Sequence, residues 1–136
     1  MIWQILLKLG KTAGIVFAVL LVYTLYEAFA PPTSGPGLMP WDKAVHFTAF
    51  FVLTGVALVA FPRQPLWRIA AGMSVIGALI ELIQALPFVN RDCDVWDWVA
   101  EMVAIAALYG TILAARLRRS LGEDGERKVE TKQAAE

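Results

Sequence analysis

The chain has 136 residues, enough for one domain, and 58% of them are hydrophobic. Its 12 basic and 12 acidic residues cancel, which excludes the basic stripe that a nucleic-acid partner requires. A single cysteine, Cys93, excludes an intrachain disulfide and a cysteine-rich metal site.

The apolar residues come in blocks, and a helix needs about 20 of them to cross the hydrocarbon core of a bilayer. The first block runs from about Thr12 to Ala30 and ends at the run from Pro31 to Gly37, where proline removes donors and glycine loosens the backbone. Lys8 and Lys11, the apolar run and Ala28-Phe29-Ala30 imitate a signal peptide, but Pro31 directly after the cut is a poor peptidase substrate. The first span is therefore expected to be retained. The second span runs from about Asp42 to Phe61 and stops at Pro62. The third runs from about Leu66 to Leu86 and stops at Pro87, and the fourth from about Val95 to Ala115. The expected fold is all-α, an integral membrane four-helix bundle over residues 1–119. The mixed charges from Gly122 onward have no apolar face, and a disordered cytoplasmic tail is expected over 120–136.

Basic residues mark the cytoplasmic side of a membrane helix. Lys8, Lys11, Arg63, Arg68, Arg116, Arg118 and Arg119 fall on one side, and only Lys43 and Arg91 on the other. This places both termini inside (N-in/C-in). Trp3 and Trp67 then sit at the inner interface and Trp41, Trp96 and Trp98 at the outer one, as indole rings prefer.

The polar residues of the spans crowd toward the outer side: Glu27, then Asp42, Lys43 and His46, then Glu81 and Gln84, then Asn90, Arg91, Asp92 and Asp94, then Asp97 and Glu101. Asp42 and His46 share a helix face, as do Glu81 and Gln84, three residues apart, and Asp97 and Glu101. A carboxylate at Glu81, about a turn inside the span, costs roughly 2–3 kcal/mol or more against lipid, so it should face the bundle and be paired or protonated. Asp92 and Asp94 read most simply as loop solvation. The small residues Ala70, Ser74 and Ala78, and Ala100, Ala104, Ala107 and Thr111, read as the contact between the third and fourth spans.

The segments Asp42-Lys43-Ala44-Val45-His46-Phe47, Glu81-Leu82-Ile83-Gln84, Arg91 and Asp97 resemble, in order and spacing, the VanZ-like family of small bacterial membrane proteins, over about residues 41–110. Glu101 stands where that family carries a neutral amide, and Ala104 where a glycine is common. The resemblance implies a cell-envelope protein of the bacterial cytoplasmic (inner) membrane. The founding member is associated with low-level resistance to the glycopeptide teicoplanin, which makes an effect on glycopeptide susceptibility an expectation here.

Two functional readings follow. In the first, Asp42, Lys43, His46, Glu81, Gln84, Arg91 and Asp97 bind a lipid headgroup or a lipid-linked envelope precursor, with the cations on a phosphate. In the second, the chain is a small enzyme on a phosphorylated or acylated envelope lipid, with His46 as general acid or base and Glu81 as a further catalytic candidate. A purely structural role for the polar set is the bland alternative. Membrane lipids are the expected partners, and no nucleic acid. One histidine with scattered carboxylates is a weak metal signal, so neither a metal nor any other cofactor is expected. The oligomeric state is not encoded in any motif.

Overall fold

The computed structural model describes residues 2–30, 42–89 and 93–133, with side chains over 9–30, 43–89, 93–123 and at Gln133. Those residues form four helices: α1 (Ile2–Phe29), α2 (Asp42–Ala60), α3 (Leu66–Gln84) and α4 (Val95–Gln133). Each contains a stretch long and apolar enough to cross a membrane. The chain divides into two compact units, Met1–Ile105 and Ala106–Glu136.

The breaks follow the sequence. Between α2 and α3, Gln64 N–H donates to Phe61 O (3.0 Å), and Pro65 enters α3 with extended backbone geometry. Proline suits that place because the first helical turn has no use for its missing donor. α3 closes with Ala85 N–H on Glu81 O (3.0 Å) and Leu86 N–H on Ile83 O (3.0 Å), just before Pro87.

In the first unit, Phe50, Leu53 and Ala57 of α2 are buried, with Ile69, Met73 and Ile80 of α3 and Ala104 and Ile105 of α4. An edge-to-face pair of Phe17 and Phe61, with centroids 5.5 Å apart, fixes α1 to the end of α2. The rest of the apolar surface points outward. Ile15, Val19, Val22, Tyr26, Trp67, Leu82 and Trp96 are all exposed, whereas Thr54, Glu81, Gln84, Asp97 and Glu101 are buried. Apolar outside and charged inside is the reverse of a water-soluble domain.

The buried face of α3 is Ile69, Met73, Gly77, Ile80, Glu81 and Gln84. It lies one residue away from the expected row of Ala70, Ser74 and Ala78, and Ala78 is exposed. On α4, Asp97, Glu101, Ala104 and Ile105 are buried, while Ala107 and Thr111 are exposed. The expected rows hold at Ser74, whose carbonyl accepts from Trp98 of α4, and at buried Ala104, and drift elsewhere because they used residue size alone. Glu81 and Glu101 cannot face an apolar surround cheaply, and they set the rotation of both helices.

In the second unit, Leu113, Leu117 and Leu121 form an exposed apolar row. Thr111 and Ser120 donate their hydroxyls to Leu108 O (2.7 Å) and Leu117 O (2.9 Å), which satisfies them inside the helix. Where a disordered tail is expected from residue 120, the backbone stays helical to Gln133. Glu, Arg, Lys and Gln are good helix formers, and a helix already nucleated in the span needs only to propagate.

Candidate functional site

Three helix ends meet in the first unit: the starts of α2 and α4 and the end of α3. Asp94 is the junction. Its carboxylate Oδ1 accepts from Trp96 N–H (3.0 Å), the N-cap bond that starts α4. Its Oδ2 accepts from Lys43 Nζ of α2 (2.6 Å), and its backbone N–H donates to Glu81 Oε2 of α3 (3.2 Å). The Lys43 ammonium holds the Asp94 carboxyl below its usual pKa, helped by the Trp96 N–H. Asp94 was expected to be loop solvation, but its side chain ties two helices together and caps one.

Lys43 also reaches Asp97 Oδ1 at 3.2 Å. Asp97 lies in the first turn of α4, where the helix dipole favours a negative charge. His46 lies one turn into α2 and faces α4. Its Nδ1 is 2.9 Å from Glu101 Oε1, and its Nε2 is 3.8 Å from Asp97 Oδ2. Glu101 is completely buried. Gly77 makes room for it: a β-carbon there would overlap Glu101 Oε2 and lie 3.3 Å from Trp98 Cδ1. Trp98 is held in turn, its indole N–H donating to Ser74 O (3.3 Å).

Ligand atoms of His46, Glu81 and Glu101 all lie within 4.8 Å of one another. The expectation that Glu81 turns inward is met, for it is buried and sits beside His46. The hydrogen bond it accepts from Asp94 is a backbone one. Gln84 is directed elsewhere: its Nε2 donates to Ala28 O (2.9 Å), a carbonyl in the last turn of α1. Of the other expected site residues, Asp42 opens α2, though its side chain lies outside the described residues, as does Arg91 altogether. Glu27 is exposed on α1.

Besides Asp94, sequence reasoning left two members out of the site. Glu101 was visible as the helical partner of Asp97 four residues on, and its burial is what makes it central. Cys93 was set aside as a lone thiol, yet partial desolvation and then a hydrogen bond with Glu81 raise its pKa, although the residue is exposed. A separate groove of about 250 Å³, lined by Phe17, Phe61, Arg68, Ile69, Met73 and Ile76 among others, lies toward the other end of α2 and α3. Its walls are almost wholly apolar and offer no acid–base chemistry.

The chain matches no protein-family model, no curated protein and no solved structure.

Proposed function

We propose that this is a multi-pass protein of the bacterial cytoplasmic membrane, with both ends inside, whose outer-side cluster binds the polar headgroup of a lipid or lipid-linked envelope precursor. The observation that carries the reading is the convergence of Lys43, His46, Glu81, Asp94, Asp97 and Glu101 from three helices at one end of a bundle whose outer surface is apolar. Spanning a membrane requires none of these groups, and each costs energy in hydrocarbon. Arg63 and Arg68 flank the turn at the opposite ends of α2 and α3, which supports assigning that turn to the cytoplasm. The VanZ-like resemblance in the sequence favours the same compartment and an effect on glycopeptide susceptibility.

Lys43 and His46 already face carboxylates: Lys43 lies against Asp94 and Asp97, and His46 against Asp97 and Glu101. A bound headgroup must therefore exchange for one of these pairs or approach through a group that the carboxylates themselves attract. Native mass spectrometry on the membrane-extracted chain tests the reading. A retained lipid of defined headgroup is expected, and Lys43→Ala and Asp97→Asn should each lower its occupancy. A lipid complement that matches the bulk membrane, unchanged by both variants, refutes it.

The contact between His46 and Glu101 favours an enzymatic reading as the second choice, because a histidine oriented by a carboxylate is a competent general base. His46→Asn separates the two. Asparagine hydrogen-bonds but does not titrate, so lipid retention with loss of turnover of that lipid indicates catalysis.

A further inference from the structure

Two carboxylates in this cluster are only half satisfied. Glu101 Oε1 meets His46, and Glu81 Oε2 meets the Asp94 N–H. Glu101 Oε2 and Glu81 Oε1 are buried and have no hydrogen-bond partner among the described residues. Glu101 is 0% exposed and Glu81 7%. A buried acceptor left unmet costs about 1–3 kcal/mol, and more when charged. A packing device gains nothing from two such atoms in one cluster.

We propose that His46, Glu81 and Glu101 form a site for a divalent transition-metal ion of the Zn²⁺ or Mn²⁺ kind. The ligand atoms come from α2, α3 and α4 and lie within 4.8 Å of one another. Ligands about 2.1 Å from one tetrahedral ion are about 3.4 Å from one another. Closing the site therefore takes side-chain rotations that draw these atoms together by up to about 1.4 Å. The two carboxylates balance the charge of the ion, which matters where water is scarce. The imidazole selects against calcium and magnesium, which favour all-oxygen shells. With Nδ1 on the metal, His46 turns Nε2 toward Asp97 Oδ2, now 3.8 Å away. A carboxylate on the second ring nitrogen is the usual support of a metal-bound histidine. Gly77 preserves the space, since a β-carbon there would displace the Glu101 carboxylate. Three protein ligands leave coordination positions open. If the headgroup reading holds, those positions would take a phosphate oxygen and explain how an acidic cluster attracts an anionic headgroup.

The test uses the full chain, extracted in detergent, stripped with a chelator and titrated with Zn²⁺ or Mn²⁺. About one ion per chain is expected by elemental analysis after dialysis. With Mn²⁺, pulsed paramagnetic resonance should show nitrogen modulation from a bound imidazole, lost in His46→Gln. Glu81→Gln and Glu101→Gln preserve shape and one hydrogen-bonding oxygen, and each should weaken binding at least about tenfold. Circular dichroism and gel filtration report whether each variant remains folded. No ion retained by the parent overturns the proposal, as does affinity unchanged in both glutamine variants or an absent nitrogen signal. Lipid retention is scored separately on chelated protein. Metal without a selected lipid leaves this site standing and removes the headgroup reading, and lipid without metal does the reverse.

Discussion

Gly77→Ala is the most pointed test of how the cluster is held, and Gly72→Ala on the same helix is its control. Both changes place a methyl on α3 and gain roughly the same helix propensity, up to about 1 kcal/mol. They differ in what the methyl meets. At Gly72 nothing lies within 4 Å, whereas at Gly77 the new carbon overlaps Glu101 Oε2 and lies 3.0 Å from Glu101 Cδ. Glu101 cannot swing away freely. It has no exposed surface, and moving it lengthens the 2.9 Å contact with His46. Trp98 on the other side is held by its bond to Ser74. Overpacking of this kind costs about 1–3 kcal/mol, and propensity cancels in the comparison, so Gly77→Ala should be less stable than Gly72→Ala by about that amount. Reversible unfolding in mixed micelles, followed by tryptophan fluorescence, measures the difference. Adding Glu101→Asp to Gly77→Ala shortens the acid by one methylene and should recover part of the loss. Two alanine variants within about 0.5 kcal/mol of each other, inside the scatter of exposed positions, would show that Glu101 is not fixed against α3, and the rigid-site reasoning would fail.

The other predictions follow from neighbouring contacts. Gln84→Leu removes the donor to Ala28 O and should cost about 1–3 kcal/mol in the same unfolding assay, with α1 loosening first in hydrogen exchange. Asp94 has a lowered carboxyl pKa, so its stabilisation is complete above the ordinary value near 3.8 and is lost as pH falls through the lower folded value. Asp94→Asn should accordingly lower stability at pH 6 and flatten the acid limb, and an unchanged limb counts against the Lys43 pairing. Cys93 is exposed and its thiol pKa is raised, so an impermeant maleimide should label it from outside, slowly at pH 7 and faster above pH 9. Labelling only from the cytoplasmic side reverses the proposed topology.

Four helices were legible because long apolar blocks broken by Pro62, Pro87 and the Pro31–Gly37 run admit little else. Membership of the site was only partly legible. Lys43, His46, Glu81 and Asp97 were found because charge inside an apolar block is conspicuous. Asp94 escaped because a loop aspartate and an N-cap aspartate look alike until the first turn of α4 is placed. Gln84 was grouped with the site by its spacing from Glu81, but at three residues its amide turns to the end of α1 instead. The helical continuation to Gln133 escaped because composition reports the missing apolar face and not the nucleated helix upstream.

The polar cluster could serve as packing alone, and its contacts show where that account stops. Asp94 and Lys43 are explained by architecture: one caps α4, the other ties α2 to it, and both retain some exposure. Asp97 is explained by the same lysine and by the helix start. Glu81 and Glu101 are not. Each uses one oxygen to join helices and keeps a second, buried oxygen with no hydrogen-bond partner among the described residues, on a carboxylate that comes within 4.8 Å of His46. Glutamine in either place would join the helices equally well without a carboxylate to desolvate. Glutamate at both positions puts negative charge where it is expensive, and that cost is recovered only if a proton or a cation arrives. A proton can neutralise one carboxylate at a time, whereas a divalent ion neutralises both together and uses the imidazole between them. The metal content of Glu81→Gln and Glu101→Gln, read beside their unfolding stability, therefore separates the two accounts: packing predicts full stability with no ion in any form, and a site predicts an ion in the parent that both variants lose while remaining folded.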